Sequence, residues 1–249
     1  YLDPAVGGAL AVVEACRNLV CTGARPLALT DCLNFGDPER PEVAYQLQQC
    51  VHGIVRACQA LGVPVVSGNV SLYNETRGEP VYPTPVVGAL GLVEDVGRHC
   101  RSAFQKEGDT VLLLGASIVR GDASSLAGSE YLEVMHDLVA GQPALDLALE
   151  ARVQRCCLCL IQEGFLHSAH DCSEGGLAVA LAECAIQGGQ GFQGSFTIEG
   201  RWDAALFGEA PSRIVVSLAE SDLPQVEHLC REEGVPYTLL GRVGGLRFV

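Results

Sequence analysis

Three short segments hold the residue types that could do chemistry. The first, Thr30-Asp31-Cys32-Leu33-Asn34-Phe35-Gly36, reads as a loop grouping a carboxylate, an amide and a closing glycine. The second, Ser67-Gly68-Asn69-Val70-Ser71, sets hydroxyl and amide oxygens around a glycine. Together they offer hard oxygen donors of the kind Mg²⁺ prefers, at a candidate ligand site. Gly68 has no Cβ, so the backbone there can approach a ligand closely. Asn69 and Ser71 are two residues apart and share a face if a strand continues through them. The plainer alternative is that Asp31 and Asn34 only make local turns. The third segment is His170-Asp171-Cys172-Ser173-Glu174-Gly175-Gly176. A strand, a serine and two glycines ahead of a helix leave backbone N–H groups free for an anion. Its plainer reading is a tight turn with Ser173 capping the helix, which an anion role does not exclude. His170 reads as a structural residue at a strand end.

Flanking elements must position these segments. Arg25–Leu29 reads as a short strand delivering the first, and the β-branched run from Val63 to Val66 as a buried strand delivering the second. Helical patterns cover Pro4–Leu19 and Glu42–Leu61, the latter ended by Gly62. Strands joined by a helical crossover are commonly neighbours, so the first two segments can share one end of a sheet. From Val81 to Val93, Pro83 and Pro85 place the early part at an edge, and the later part reads as a well-buried strand. The order α, β, α, β, β implies an α+β layer with a mixed sheet. The turn Lys106-Glu107-Gly108-Asp109 and the polar stretch before it suggest a boundary near residues 96–106. Two domains follow, 1–100 and 101–249. The second reads as α/β. It has strands at Val111–Leu114, Leu166–His170, Arg213–Leu218 and Tyr237–Val243, and helices at Ala144–Glu163, Leu177–Ile186 and Leu223–Glu233. A Gly- and Ser-rich loop runs through Tyr131.

Composition removes several function classes. Net charge is −14, and of 16 basic residues only Lys106 is a lysine, so no basic cluster exists to bind nucleic acid. No Gly-x-x-x-x-Gly-Lys-Ser/Thr motif occurs, which excludes a P-loop. No segment reaches the length expected of a membrane span. Twelve cysteines fall mostly within apolar helical patterns and imply a reducing, cytoplasmic setting rather than a disulfide framework. Cys156-Cys157-Leu158-Cys159 has the wrong spacing for a zinc site and lies on a helix that would splay the thiols. The opening Tyr1-Leu2-Asp3-Pro4, without Met, points to a fragment or processed chain.

The three segments, with Leu72-Tyr73-Asn74-Glu75-Thr76, Tyr82-Pro83-Thr84-Pro85-Val86-Val87-Gly88 and Gly128-Ser129-Glu130-Tyr131-Leu132, closely resemble the phosphoribosylformylglycinamidine synthase family. The likeness is to the C-terminal half of its synthetase subunit, within the aminoimidazole ribonucleotide synthetase superfamily, and covers nearly the whole chain in order. It implies an α+β first domain that pairs with its counterpart in a barrel-like core, followed by an α/β second domain. It also implies an ATP-dependent C–N ligase of purine synthesis. ATP phosphorylates the amide oxygen of formylglycinamide ribonucleotide, and ammonia displaces phosphate to give the amidine. By the same resemblance Asp31 and Gly68 contact ATP, Asn69 binds Mg²⁺ and Ser71 contacts substrate. Asp171, Ser173, Gly175 and Gly176 form a loop for phosphate or an auxiliary nucleotide. The implied partners are the N-terminal half of the same subunit, a glutaminase subunit and a small accessory subunit. Because the family's catalytic histidines belong to that N-terminal half, no catalytic residue is assigned here. The isolated segment is expected to be inactive and to form a homodimer. Two alternatives stay open: a free-standing superfamily homodimer acting as a small-molecule kinase or synthetase, and a non-catalytic nucleotide-binding dimerisation module.

Overall fold

The computed structural model describes residues 1–249 and separates into two units, Tyr1–Leu19 with Pro26–Leu92, and Val20–Arg25 with Val93–Val249. In the first, helix α1 (Pro4–Cys21) is followed by β1 (Arg25–Asn34), α2 (Pro41–Leu61), β2 (Val65–Ser71), the short strands β3 (Glu75–Thr76) and β4 (Glu79–Pro80), and β5 (Thr84–Leu92). The sheet order is β2-β1-β5, with β1 and β2 parallel as the helical crossover between them requires. It is an open three-stranded sheet. The strands β3 and β4 form a separate antiparallel hairpin.

Two glycines let the helices of this unit touch. A Cβ on Gly53 would lie 1.8 Å from the Ala5 carbonyl oxygen, and one on Gly8 would lie 2.3 Å from that of Cys50. Leu29, Leu33 and Phe35 from the β1 region are buried, as are Val12, Val13 and Cys16 of α1 and Ile54 and Ala57 of α2. At 18 residues, α1 is long and apolar enough to cross a membrane by length and composition, which corrects the expectation that no segment reaches that length. Its three fully enclosed side chains mark it as a core helix.

The strands also depart from expectation. β1 runs on through Asn34 and β2 through Ser71, so the first chemical segment is strand as far as Asn34 and the second is strand throughout, not loop. Each supplies the other's ladder partners, and the small polar side chains cost the pairing little. Nor is β2 buried: Val66 is 68% and Val70 54% exposed. β5 alternates rather than being well buried, leaving Val86, Leu90 and Leu92 in the open. Within this unit no layer covers that face, so apolar content alone overstated burial.

The second unit comprises β6 (Thr110–Leu114), β7 (Val119–Gly121), α3 (Glu130–His136), α4 (Leu147–Glu163), β8 (Ser168–Asp171), α5 (Gly176–Gly188), β9 (Phe192–Gly194), β10 (Ile198–Gly200), α6 (Trp202–Phe207), β11 (Ile214–Leu218), α7 (Leu223–Glu232) and β12 (Tyr237–Val243). Its main sheet, β8-β11-β6-β12-β9, is antiparallel at every pairing, a direction the element order does not reveal. β7 and β10 form a parallel pair of their own. Alternation along β6 divides the core. Leu112 and Leu114 join residues of α4 and α7, while Val111 and Leu113 join residues of α5. The Gly- and Ser-rich stretch is not all loop: it holds α3, capped by the Ser129 hydroxyl, which accepts the Leu132 N–H at 3.4 Å. All twelve cysteines are free thiols. The Cys156 sulfur meets that of Cys230 at 3.9 Å, Cys157 bonds toward Cys21, and Cys159 is partly exposed, so these neighbours do diverge. Burial pushes the Cys100 thiol up to about 12, the state of an inert core residue.

Candidate functional site

A register shift builds the centre of the first unit. Leu29 pairs with Val65 but Thr30 pairs with Ser67, so β2 carries one extra residue there and Val66 is left over. From that point Asp31 faces Gly68, Cys32 faces Asn69 and Asn34 faces Ser71. Without the shift, Asp31 would face Ser67. With it, a glycine lies opposite the carboxylate. A Cβ on Gly68 would fall 2.1 Å from Asp31 Oδ1 and 2.8 Å from the Asp31 carbonyl oxygen. The space Gly68 leaves is therefore taken by the Asp31 side chain. Asp31 shares its face of β1 with the buried Leu29 and Leu33, and its charge raises the thiols of Cys50 and Cys58 on α2, secondary in both to their burial.

The opposite face is polar on β1 and β2, while β5 adds the exposed Val86 and Leu90 to it beside Gly88, whose Cβ would lie 2.9 Å from Thr30 Cγ2. The Thr30 and Ser67 hydroxyls are 3.0 Å apart, and Asn69 Nδ2 donates to Ser71 Oγ at 3.3 Å. Asn34 Nδ2 reaches the Cys32 sulfur at 3.6 Å and the Thr84 carbonyl at 3.4 Å. The structure thus brings Asn69 together with Ser71, and Asp31 together with Gly68, but places the two pairs on opposite faces of adjoining strands. Asn74, part of a segment that carries the resemblance but given no role there, ties the strand ends together. Asn74 Nδ2 donates to the Ser71 carbonyl at 2.8 Å and the Phe35 carbonyl at 3.1 Å. Its neighbour Tyr73 turns through a left-handed φ of 57°, its N–H held by the Gly36 carbonyl at 3.0 Å. A signal existed, since asparagine commonly closes such turns onto backbone.

Nowhere do three His, Cys, Asp or Glu side chains converge as a metal site would require. With its nitrogen bonded to Ser71, the Asn69 amide oxygen is left as one neutral hard donor. That suits a single place in a Mg²⁺ shell and no more, because Mg²⁺ sites draw on carboxylates as well.

The third segment holds an anion of the protein's own. Gly175 is the residue before α5, with φ 74°, and no side chain caps that helix, so Ser173 is not its cap. Both Gly175 and Gly176 have positive φ, and the Ser173 carbonyl accepts the Gly176 N–H at 3.0 Å. The Gly175 N–H donates to Glu209 Oε1 at 2.8 Å, and the Glu130 N–H at the start of α3 donates to the same oxygen at 2.9 Å. One carboxylate serves two helix starts, where the backbone dipoles favour negative charge. Even so, burial raises the Glu209 carboxyl above the usual range, outweighing those two bonds. Glu209 lies in a loop with no periodicity and no motif to announce it. His170 has Nε2 3.2 Å from Glu183 Oε2 and Nδ1 2.8 Å from the Asp171 carbonyl.

The domain family described as AIR synthase related protein, N-terminal domain, matches residues 1–93, and its C-terminal counterpart matches residues 106–247. The PurL subunit of phosphoribosylformylglycinamidine synthase from Moorella thermoacetica is 51% identical over 98% of this chain and 33% of its own length. That of Thermomicrobium roseum is 53% identical over 100% of this chain and 34% of its own. The chain thus spans about a third of the length of the curated relatives it matches. Among solved structures, Thermotoga maritima PurLQS superposes with a TM-score of 0.73 at 18% identity, covering 97% of this chain and 38% of that one. The hydrogenase maturation protein HypE in complex with ATP gives 0.72 at 21%, over 96% of this chain and 71% of its own. At such identities these structures establish the fold.

Proposed function

This chain belongs to the AIR synthase-related family, and from that premise we propose that it is the C-terminal part of a phosphoribosylformylglycinamidine synthase synthetase subunit. In this reading the intact protein converts formylglycinamide ribonucleotide, ATP and glutamine-derived ammonia to the amidine in purine synthesis, in the cytoplasm. The observation that carries it is identity near one half, along essentially the full chain, to several subunits of that name.

Within such a site this chain supplies binding groups. The Asp31 carboxylate is an acceptor, so it suits the hydroxyl or amino donors of ATP rather than its phosphates. Gly68 admits that carboxylate between the strands. Asn69 offers one oxygen to a Mg²⁺ completed by groups of the remaining subunit. When bound, that ion neutralises charge on the transferring phosphoryl group. The Ser71 hydroxyl, oriented by Asn69, contacts the substrate. Because β2 is an edge strand, one ligand assembly can reach both of its faces.

On the face that also carries Asn69 and Ser71, the apolar β5 side of the sheet, with Val86 and Leu90 exposed, suits pairing with the N-terminal half of the same subunit, or with a second copy when the segment is alone. Glutaminase and a small accessory subunit complete the proposed assembly. The Asp171–Gly176 loop, its anion position held by Glu209, is read as structural. Calorimetry of Mg-ATP binding to the intact protein tests the reading. Wild type is expected to bind and Asp31→Ala to bind at least about tenfold more weakly, the loss of one charge-assisted hydrogen bond. Equal affinities would overturn the role of Asp31.

A further inference from the structure

The turn ahead of β6 contains the chain's one lysine, and neither the fold nor the proposed ligase accounts for how it is held. Lys106 Nζ lies 3.0 Å from His167 Nε2, and His167 Nδ1 lies 2.8 Å from Asp109 Oδ2. An ammonium can only donate, so Nε2 is the acceptor and the imidazole carries its proton on Nδ1, given to Asp109. The side chains of Asp109 and His167 are only 5% and 19% exposed, while Lys106 is open to solvent. Backbone bonds fix the pair. The Val243 N–H donates to the Asp109 carbonyl at 2.9 Å, and the His167 N–H donates to the Ser217 carbonyl at 2.8 Å. Carboxylate, imidazole and amine therefore stand in one line, with only the amine presented outward.

We propose that Lys106 is a nucleophilic amine served by the His167–Asp109 pair, and that it accepts an acyl group from a small acyl phosphate. The ammonium gives one proton to His167 Nε2, and the imidazolium so formed is held by Asp109. The neutral nitrogen attacks the acyl carbon. An N–C bond forms, and the C–O bond to phosphate breaks with its electron pair leaving on the phosphate oxygen. The nitrogen's second proton goes to that phosphate, giving amide and hydrogen phosphate, and His167 returns its proton to water. Lys106 stands exposed at a turn, so a small donor with a good leaving group fits better than a bulky one.

The test incubates the intact protein with acetyl phosphate, with Nα-acetyl-lysine methylamide in the same tube as reference, and follows the Lys106 peptide by mass spectrometry. General-base assistance reaches on the order of 10²–10⁴-fold in enclosed sites, so at this half-open one Lys106 is expected to outpace the reference by at least about tenfold. His167→Gln, which keeps a hydrogen-bonding group but no base, is expected to remove that advantage, and Asp109→Asn to reduce it. Equal rates in wild type and His167→Gln overturn the proposal. If neither variant folds, the wild-type comparison decides alone, and a Lys106 no faster than the reference overturns it.

Discussion

Gly68→Ala probes the pairing at the centre of the first unit most sharply. The added methyl would sit 2.1 Å from Asp31 Oδ1, 2.9 Å from its Cγ and 2.8 Å from its backbone oxygen. A long side chain could swing away, but aspartate has one rotatable bond before its carboxyl group, and the third contact is backbone. Rotating Asp31 aside and spreading β1 from β2 should cost about 1–3 kcal/mol, the usual range for overpacking. With a urea slope of about 1–1.5 kcal/mol/M for a unit of this size, the midpoint should fall by roughly 1–2 M. Circular dichroism reports both units. Trp202, the only tryptophan, lies in the second unit, so its fluorescence transition should stay in place. Asp31→Gly with Gly68→Ala exchanges the large and small partners and should recover about 1–2 kcal/mol beyond the sum of the single changes. A variant as stable as wild type, or single changes that simply add, would refute the fit of Asp31 into the space at Gly68.

Three further outcomes are expected. Glu209→Ala leaves the Gly175 and Glu130 N–H groups without their acceptor and should cost about 2 kcal/mol. Glu209→Gln keeps an oxygen there and should cost little. Because burial holds the folded Glu209 carboxyl above its ordinary 4.5, its stabilisation is largest below about pH 4.5 and is withdrawn as pH rises through the folded value. Glu209→Gln should therefore gain stability relative to wild type on going from about pH 4 to 7, read by thermal melts, and a difference that shrinks would contradict the raised value. Glu150 is fully enclosed and accepts from Ser212 Oγ at 2.6 Å and Gln154 Nε2 at 2.7 Å. Glu150→Ala should lower the Trp202-reported transition by about 3 kcal/mol, as removing one member of a buried polar network does. Leu90→Asp places a charge on the open sheet face and should convert a self-associating chain to a monomer in sedimentation; unchanged association would show that the face is not the contact.

How much of this could be read in the residues differs from place to place. The β1–α2–β2 unit was legible because a short apolar run, Pro26–Leu29, and a β-branched one, Val63–Val66, flank a helix with one apolar face and a glycine stop, a pattern with essentially one right-handed solution. The burial of β2 was not. An apolar strand covered by its own chain and one left for another body have the same composition. The opposition of Asp31 and Gly68 depends on the one-residue shift at Val66, and side-chain period 2 makes any such shift reverse the faces. Gly68 was rightly singled out for its missing Cβ, but the occupant of the space came from the neighbouring strand. Glu209 was invisible because a loop carboxylate gains its role only when distant helix starts converge on it. The fall of the third segment before a helix was plain, whereas its cap was not: Ser173 has the right chemistry, but two successive glycines moved the helix start past it.

On the proposed function, this chain supplies binding groups to a ligase site completed by the rest of the subunit. Phosphate release and amidine formation from formylglycinamide ribonucleotide, ATP and ammonia should be measured for the 249-residue chain alone and for the chain mixed with the remaining N-terminal part of its subunit. The chain alone is expected to show no turnover, the mixture to turn over, and a mixture carrying Asp31→Ala to lose that turnover. Turnover by the isolated chain, or undiminished turnover with Asp31→Ala, would contradict the proposed function.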